Sequence, residues 1–171
     1  MDRVYTDGSL NINKQRASIG GFVSEKRNIV VQFSNKLDFD KIDLDANYVE
    51  LLAIENGLQL AYQRGLTEVG LFSDSRSSIL LIRRMMSRDS KKFNKIFEYS
   101  MFKKHKDLLL KLVFLIGKFK TLCLNFIPRK LNSMADILSK ITHHAMTWHR
   151  GQALAIQTKK YNFTIGVLVN V

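Results

Sequence analysis

The chain has 171 residues, of which 46% are hydrophobic and 25% are charged, and it carries a formal net charge of +12. These proportions are typical of a globular domain with a real core and exclude an intrinsically disordered chain. A strand signal begins directly after Met1, and Lys111 interrupts the longest apolar run, 108–116. The sequence therefore predicts no signal peptide and no membrane-spanning segment, and no membrane is expected as a partner.

The net positive charge comes entirely from the second half of the chain. Residues 1–86 hold 11 Lys or Arg and 11 Asp or Glu, whereas residues 87–171 hold 16 basic residues and only four acids. A neutral half followed by a strongly basic half indicates a polyanionic partner, with nucleic acid favoured over an anionic membrane surface. A generic basic protein is the alternative interpretation.

The first predicted element is a strand that ends in a carboxylate. Residues 4–6 are strand formers, and Asp7, Gly8 and Ser9 follow them. Gly8 and Ser9 are predicted to turn the chain, so Asp7 would lie at the end of the strand. The fixed backbone there can orient its carboxylate into a site. An ordinary Asp-Gly hairpin turn is the alternative.

Two further β-rich runs, 18–26 and 28–35, are predicted to form an antiparallel hairpin. The Gly20-Gly21 pair inside the first run predicts either a bulge or a close approach of another backbone.

A helix is predicted over residues 47–64, because apolar residues recur there at spacings of three, four and seven. Asp45 is its candidate N-cap and Gly65 its candidate C-cap. Asn47 and Glu50 lie three residues apart and share a face of the first turn. An early-turn acid favoured by the helix dipole is the plain interpretation of Glu50.

The next strand, 68–72, ends in Ser73-Asp74-Ser75, and a helix follows over 75–86. A strand–helix–strand order predicts parallel pairing with a right-handed crossover. Asp7 and Asp74 would then lie at the carboxyl ends of adjacent strands, where α/β sheets place their ligands. Asp74 could instead be only a cap of the following helix.

Residues 87–119 are predicted to be helical and basic. Many lysines lie on the polar sides of these predicted helices, among them Lys103, Lys104 and Lys106. Their density favours a ridge that binds phosphates over ordinary solvent-exposed helix faces.

A last core strand, 120–127, contains the single cysteine, Cys123. One cysteine allows no intramolecular disulfide, so no disulfide-linked partner is expected within the chain. It also excludes a zinc site built from cysteines. We interpret Cys123 as a buried thiol in a reducing compartment such as the cytoplasm. After Pro128, Asn132 is a candidate N-cap for a helix reaching about residue 147, with Asp136 in its first turn.

Four stretches together resemble type 1 ribonuclease H, and the last is closest to the branch found in plants, archaea and retroelements. They are Tyr-Thr-Asp-Gly-Ser at 5–9, Asn-Tyr-Val-Glu-Leu-Leu-Ala-Ile-Glu-Asn-Gly-Leu at 47–58, Ser-Asp-Ser at 73–75 and Pro-Arg-Lys-Leu-Asn-Ser-Met-Ala-Asp-Ile-Leu-Ser at 128–139. The resemblance implies an α/β ribonuclease H-like fold, with a mixed five-stranded sheet of order 3-2-1-4-5 and helices on both faces. We expect a catalytic domain over 1–147, and an extension over 148–171 that either packs on the sheet edge or contacts a partner.

The resemblance also implies an activity, the hydrolysis of the RNA strand of RNA–DNA hybrids with two Mg²⁺ ions, for which Mn²⁺ can substitute. Asp7, Glu50, Asp74 and Asp136 would be the catalytic carboxylates and metal ligands. Such ions, about 3.5–4 Å apart, need hard oxygen ligands and neutralising charge. One ion would activate a water and the other would stabilise the leaving 3′ oxygen.

Seven further residues are expected to contact the hybrid, partly through the 2′-hydroxyls of the RNA strand and partly through phosphates. They are Ser9, Asn47, Ser75, Arg129, Lys103, Lys104 and Lys106. One departure from the family concerns the loop before Asp136, where many members place a His and this chain has Arg129. A related DNA nuclease and a non-catalytic nucleic-acid-binding domain are the alternative functions.

Overall fold

A computed structural model of the chain describes residues 1–38, 45–87 and 104–141, and the backbone of two strands at 153–157 and 164–169. The elements in chain order are β1 (Asp2–Asn11), β2 (Arg16–Glu25), β3 (Asn28–Leu37), α1 (Ala46–Gln63), β4 (Glu68–Ser73), α2 (Arg76–Met85), α3 (Lys106–Ile116), β5 (Thr121–Phe126), a 3₁₀ turn (Arg129–Leu131), α4 (Ser133–Ile141), β6 (Ala153–Gln157) and β7 (Thr164–Val169).

The sheet has the order β5-β4-β1-β2-β3-β7-β6. Its first five strands confirm the predicted 3-2-1-4-5 order, with β1, β4 and β5 parallel and β1, β2 and β3 antiparallel. β7 pairs with the outer edge of β3, and β6 pairs antiparallel with β7. Residues after 148 therefore add two strands at the edge of the sheet, which is one of the two places expected for this extension, while the proposed domain boundary at 147 remains a prediction.

The predicted hairpin between β2 and β3 is confirmed, and its turn has two residues. Glu25 pairs with Asn28, so only Lys26 and Arg27 form the loop. Both have positive φ, 48° and 73°, which is the backbone of a type I′ turn and matches the twist of the two strands.

The predicted caps of α1 are also confirmed. The Asp45 carboxylate accepts a hydrogen bond from the backbone N–H of Tyr48 at 2.8 Å. At the other end Gly65 has a φ of +77°, and the N–H of Leu66 returns to the carbonyl of Ala61 at 3.1 Å. These bonds satisfy backbone groups that a helix end would otherwise leave unpaired.

The helices lie on both faces of the sheet. A large core joins α1, α2 and α3 to one face through residues such as Leu58, Ile82 and Leu112, all inaccessible to solvent. On the opposite face α4 packs against β1, β2 and β3. No helix within the described residues is long and apolar enough to cross a membrane.

The close approach predicted at Gly20-Gly21 is that of α4. A Cβ atom on Gly20 would lie 2.1 Å from the backbone nitrogen of Ser139. Ser34 Oγ on β3 donates to the carbonyl of Leu138 at 2.5 Å, and Ser18 Oγ on β2 donates to the carbonyl of Ser139. The alternative of a bulge does not apply at the glycines, because the register shifts between Val23 and Ser24 instead.

The prediction of a buried thiol at Cys123 is wrong, because this side chain is exposed. Successive side chains of a strand point to opposite faces, and in the edge strand β5 it is Leu122 that enters the core. Cys123 points to the other face, where the described part of α4 packs against β1, β2 and β3. It lines an open groove of about 280 Å³ with Arg3, Phe72 and Asn125 among its neighbours.

The helical prediction over 87–119 is confirmed only in part, since α3 covers 106–116 and residues 88–103 lie outside the described chain. The last predicted helix begins as expected, but the residues after 141 that would carry it to 147 also lie outside the description.

Candidate active site

Asp7 does not end its strand, which corrects the sequence interpretation. β1 continues to Asn11, and Gly8 and Ser9 pair with Ile19 and Ser18 of β2 instead of turning the chain. The pairing of β1 with β4 stops at Tyr5 and Phe72. Asp74 directly follows β4 and is therefore brought beside Asp7 at the carboxyl end of the parallel pair.

Gly8 is needed because α1 crosses directly over it. A Cβ atom at this position would lie 2.8 Å from the backbone nitrogen of Glu50 and 2.8 Å from the carbonyl carbon of Val49. The backbone N–H of Gly8 donates to Glu50 Oε2 at 3.2 Å. The glycine thus allows α1 to place Glu50 next to Asp7.

Asn132 connects β1 to Asp74. Its side-chain amide nitrogen donates to the carbonyl of Thr6 at 2.9 Å and to Asp74 Oδ1 at 2.7 Å. The amide oxygen of Asn132 is buried and has no partner among the described residues. Asn132 directly precedes α4, as expected, but its amide nitrogen serves the carboxylate site.

Asp74 is not a helix cap, since Ser75 caps α2 and accepts a hydrogen bond from the N–H of Ser78.

Asp136, in the first turn of α4, forms ion pairs with two basic side chains. Arg129 Nη2 lies 2.7 Å and Lys140 Nζ 2.5 Å from the same oxygen, Asp136 Oδ1. The remaining carboxylate, Asp7, accepts from the buried hydroxyl of Ser139 at 2.5 Å.

The electrostatics show that the four carboxylates form one cluster. Burial, followed by repulsion from Asp7 and Asp74, raises the pKa of Glu50 to about 8. Burial also raises the pKa of Asp7 to about 6; Ser139 opposes this rise, and Asp74 and Asp136 add to it. For Asp136, burial is outweighed by hydrogen bonds from Lys140 and Arg129, so its pKa lies below the usual value.

The residues present fit a divalent metal in their chemistry. Burial and mutual repulsion disfavour the charged forms of Asp7 and Glu50, and a bound divalent cation would offset both effects. Carboxylate oxygens are also the ligands that hard cations prefer. The unpartnered amide oxygen of Asn132 adds a further oxygen beside Asp74. Within the described residues no three His, Cys, Asp or Glu side chains already surround one ion position.

This cluster predicts an unusual pH dependence of stability for the metal-free protein. The ordinary pKa of Asp7 is 3.8 and the native value is about 6, so the native state binds protons more tightly than the unfolded chain. Stability is then lost as the pH rises from about 4 through 6, and Glu50 extends the loss towards pH 8. In EDTA at pH 8, Asp7→Asn is expected to be more stable than the wild type by about 2–3 kcal/mol.

Urea unfolding at pH 4 and pH 8 measures this difference, which should vanish near pH 4, where Asp7 is already protonated. Mg²⁺ should raise the stability of the wild type at pH 8 and have less effect on the variant. An Asn variant that is less stable than the wild type at pH 8 in EDTA would contradict the electrostatic picture.

The expected substrate residues lie around this cluster in different ways. Asn47, on the first turn of α1, is exposed and accepts a hydrogen bond from Ser77 Oγ at 2.8 Å. Ser9 lies in β1 and Ser75 caps α2 beside Asp74. Arg129 reaches Asp136 directly.

Of the three expected lysines, Lys104 lies beside the start of α1. Lys104 Nζ is 3.5 Å from the carboxylate of Asp45, and the buried His105 ring is 3.0 Å from the same oxygen. Lys106 is exposed at the start of α3, and Lys103 lies outside the described residues. The basic segment and the helix that carries Glu50 are therefore joined at Asp45.

The predictions from the sequence missed four residues of the site or gave them another role. They are Ser77, Asn132, Ser139 and Lys140. Helical spacing alone could have placed Lys140 on the same face as Asp136, since the two are four residues apart. The bonds from Ser139 to Asp7 and from Asn132 to Asp74 join positions far apart in sequence, and no local pattern signals them.

The family described as reverse transcriptase-like matches residues 5–142 of the chain. This match covers most of the sequence and shows that the chain belongs to this family, and its fold is ribonuclease H-like. No curated protein matches the chain significantly.

Several solved structures share the fold. RNase H1 from the halophilic archaeon Halobacterium salinarum has a TM-score of 0.64 at 18% identity, covering 84% of this chain and 98% of that one. LC11-RNase H1, isolated from compost and solved in complex with an RNA/DNA hybrid, has a TM-score of 0.63 at 20% identity, covering 85% and 100%. The prototype foamy virus protease-reverse transcriptase has a TM-score of 0.61 at 17% identity, with 85% of this chain matching 21% of that protein. At these identities the likeness shows the fold alone.

Proposed function

We propose that the protein is an endoribonuclease that hydrolyses the RNA strand of RNA–DNA hybrids and depends on two divalent metal ions, Mg²⁺ or Mn²⁺. The observation that carries this proposal is the convergence of Asp7, Glu50, Asp74 and Asp136 from four separate elements on one electrostatically coupled cluster. A surface that only bound nucleic acid would gain nothing from bringing four like charges together, because they repel both one another and a phosphate.

The four carboxylates would hold the metal ions, with Asp7 central because it interacts with both Asp74 and Asp136. Bound divalent cations supply charge stabilisation at a phosphate and activation of a water. The chain itself orients the ligands: Gly8 holds Glu50, Asn132 holds Asp74 and Ser139 holds Asp7. Arg129 and Lys140 balance the charge of Asp136. The same two cations would bind a phosphate of the substrate.

Recognition of the hybrid would depend on both strands. Ser77 donates to the amide oxygen of Asn47 and so leaves the Asn47 amide nitrogen to donate to a 2′-hydroxyl of the RNA strand. Lys104 and Lys106 would bind phosphates of the partner strand near the start of α1.

A substrate panel tests this proposal. The protein is incubated with a matched RNA–DNA hybrid, RNA duplex, DNA duplex and each single strand, in Mg²⁺, Mn²⁺ or EDTA. We expect cutting of the RNA strand of the hybrid only, and only with metal. Cutting of the DNA duplex would favour the related DNA nuclease, and an intact hybrid in both metals would refute the proposal.

The lysines near α1 make a separate prediction about binding. Replacing Lys104 and Lys106 with Ala should weaken hybrid binding and lower the slope of log affinity against log salt by up to about 2, since each phosphate contact contributes about 1. This slope is measured by fluorescence anisotropy in EDTA. The salt concentration is varied from about 50 to 200 mM, roughly the range over which phosphate contacts change affinity. Lys120→Ala is the control, because Lys120 is exposed and pairs with Glu68; an unchanged slope in the double variant would place the substrate elsewhere.

One observation favours a second candidate, a non-catalytic nucleic-acid-binding domain. Asp136 is already neutralised by Arg129 and Lys140, and cations in that place compete with a metal ion. This candidate predicts tight hybrid binding with no cleavage in either metal, so the same panel separates the two.

A further inference from the structure

Ser139 occupies a place in the site that the four carboxylates alone do not explain. Its side chain is fully buried, and its Oγ lies 2.5 Å from Asp7 Oδ2 and 2.8 Å from the backbone carbonyl of Asp136. A serine hydroxyl has a single proton to donate. The carboxylate is the stronger acceptor, because charge-assisted hydrogen bonds are about twice as strong as neutral ones.

The backbone that carries this hydroxyl is fixed in three ways. Ser18 Oγ donates to the carbonyl of Ser139, Ser34 Oγ donates to the carbonyl of Leu138, and Gly20 provides the space for α4 to approach. Residues held by packing on regular elements orient a site more accurately than residues on loops. The Ser139 hydroxyl is therefore a rigid donor aimed at one oxygen of Asp7.

The Asp7 side chain has one hydrogen bond among the described residues, and it comes from Ser139. Asp136, by contrast, is held by two cations. Asp7 is also only 2% exposed, so water contributes little to its orientation. Without Ser139 this carboxylate would lose the contact that fixes its rotamer.

We propose that Ser139 is a positioning residue that sets the orientation of Asp7 for metal binding and couples it to α4, the helix that carries Asp136. The inference rests on the proposed function only in that Asp7 is taken as a metal ligand. Outer-shell partners of ligating carboxylates typically change metal affinity by about 10–100-fold when they are removed.

The test compares Ser139→Ala with Ser34→Ala in the full chain. Both changes remove one buried hydroxyl that bonds to a neighbour at 2.5 Å, and both affect how α4 is held, but only Ser139 touches Asp7. Alanine is also the best helix former, so Ser139→Ala should keep α4 intact. Thermal unfolding in EDTA gives the stability of each protein on its own.

Mn²⁺ binding to the metal-free proteins is measured by isothermal titration, and the rise in melting temperature on adding Mn²⁺ is measured against each protein's own metal-free value. We expect Ser139→Ala to lose about 10–100-fold in Mn²⁺ affinity. Ser34→Ala should bind Mn²⁺ nearly as the wild type does, because the Ser18 hydrogen bond and the close approach at Gly20 still hold α4 in place. Equal affinity in Ser139→Ala and wild type, or an equal loss in both variants, would overturn the inference.

Hybrid cleavage supplies an independent readout. The metal concentration that gives half-maximal rate should rise by about 10–100-fold in Ser139→Ala, while the KM for the hybrid stays close to the wild-type value. If the wild type does not cleave the hybrid but Ser139→Ala still loses Mn²⁺ affinity, the proposed function fails and the role of Ser139 stands. If the wild type cleaves and Ser139→Ala has unchanged metal dependence, the role of Ser139 fails alone.

Discussion

Asp7→Asn is expected to lower the rate of hybrid cleavage by about 10³-fold or more. Asp7 lies at the centre of the cluster, coupled to Asp74, Asp136 and Glu50. Asparagine keeps the shape of the side chain and can still accept from Ser139, but it loses the negative charge that metal binding needs. Metal ions contribute several kcal/mol of charge stabilisation in such reactions, and 4 kcal/mol corresponds to about 10³-fold in rate.

Initial rates on a labelled hybrid at saturating Mg²⁺ measure this effect. Asp2→Asn is the matched control, because Asp2 lies on the same strand and the one hydrogen bond of its side chain with a described residue comes from the backbone N–H of Lys26. It should cleave at close to the wild-type rate. If Asp7→Asn cut as fast as this control, the carboxylate cluster would not be the catalytic site.

Gly20→Ala is expected to destabilise the protein by about 3 kcal/mol and to abolish activity with it. The added Cβ would meet the backbone of Leu138 and Ser139 at 2.1–2.6 Å. Backbone atoms in a packed helix cannot yield as the end of a flexible side chain can. α4 must therefore move off the sheet, and it carries both Asp136 and the hydroxyl that holds Asp7.

Chemical denaturation gives the free energy of unfolding, and Gly117→Ala is the control. Gly117 has a φ of −65°, and a Cβ there would be 3.4 Å from its nearest neighbour, an ordinary contact. Alanine in a compatible backbone is neutral or stabilising by about 0.4–1 kcal/mol. A Gly20→Ala variant as stable as this control would show that α4 does not dock on the sheet as described.

Local sequence signals predicted much of this fold because they act over a few residues. Asp45 and Gly65 mark the ends of α1 through capping, and two β-rich runs joined by a short link mark β2 and β3. The five-strand order came from the resemblance to type 1 ribonuclease H and not from these signals. The motifs that carried the resemblance also named the four acids that the fold brings together.

The features that the sequence did not reveal depend on contacts between distant residues. Asp-Gly at 7–8 has the composition of a turn, yet pairing with β2 keeps the strand straight and the glycine serves α1 instead. Cys123 has apolar neighbours, but its exposure depends on which face of β5 a helix covers. The pairing of β7 with β3 joins residues more than 130 positions apart, and no local pattern encodes it.

The chemistry of the product ends tests the central claim most directly. A hybrid with a labelled RNA strand is cut in Mg²⁺, and the fragments are analysed for their terminal groups by mass spectrometry. Attack by water with departure of the 3′ oxygen, which the metal-dependent carboxylate cluster would carry out, predicts fragments with a 5′-phosphate and a 3′-hydroxyl. Fragments that end in a 2′,3′-cyclic phosphate, or cutting that persists in EDTA, would contradict this account.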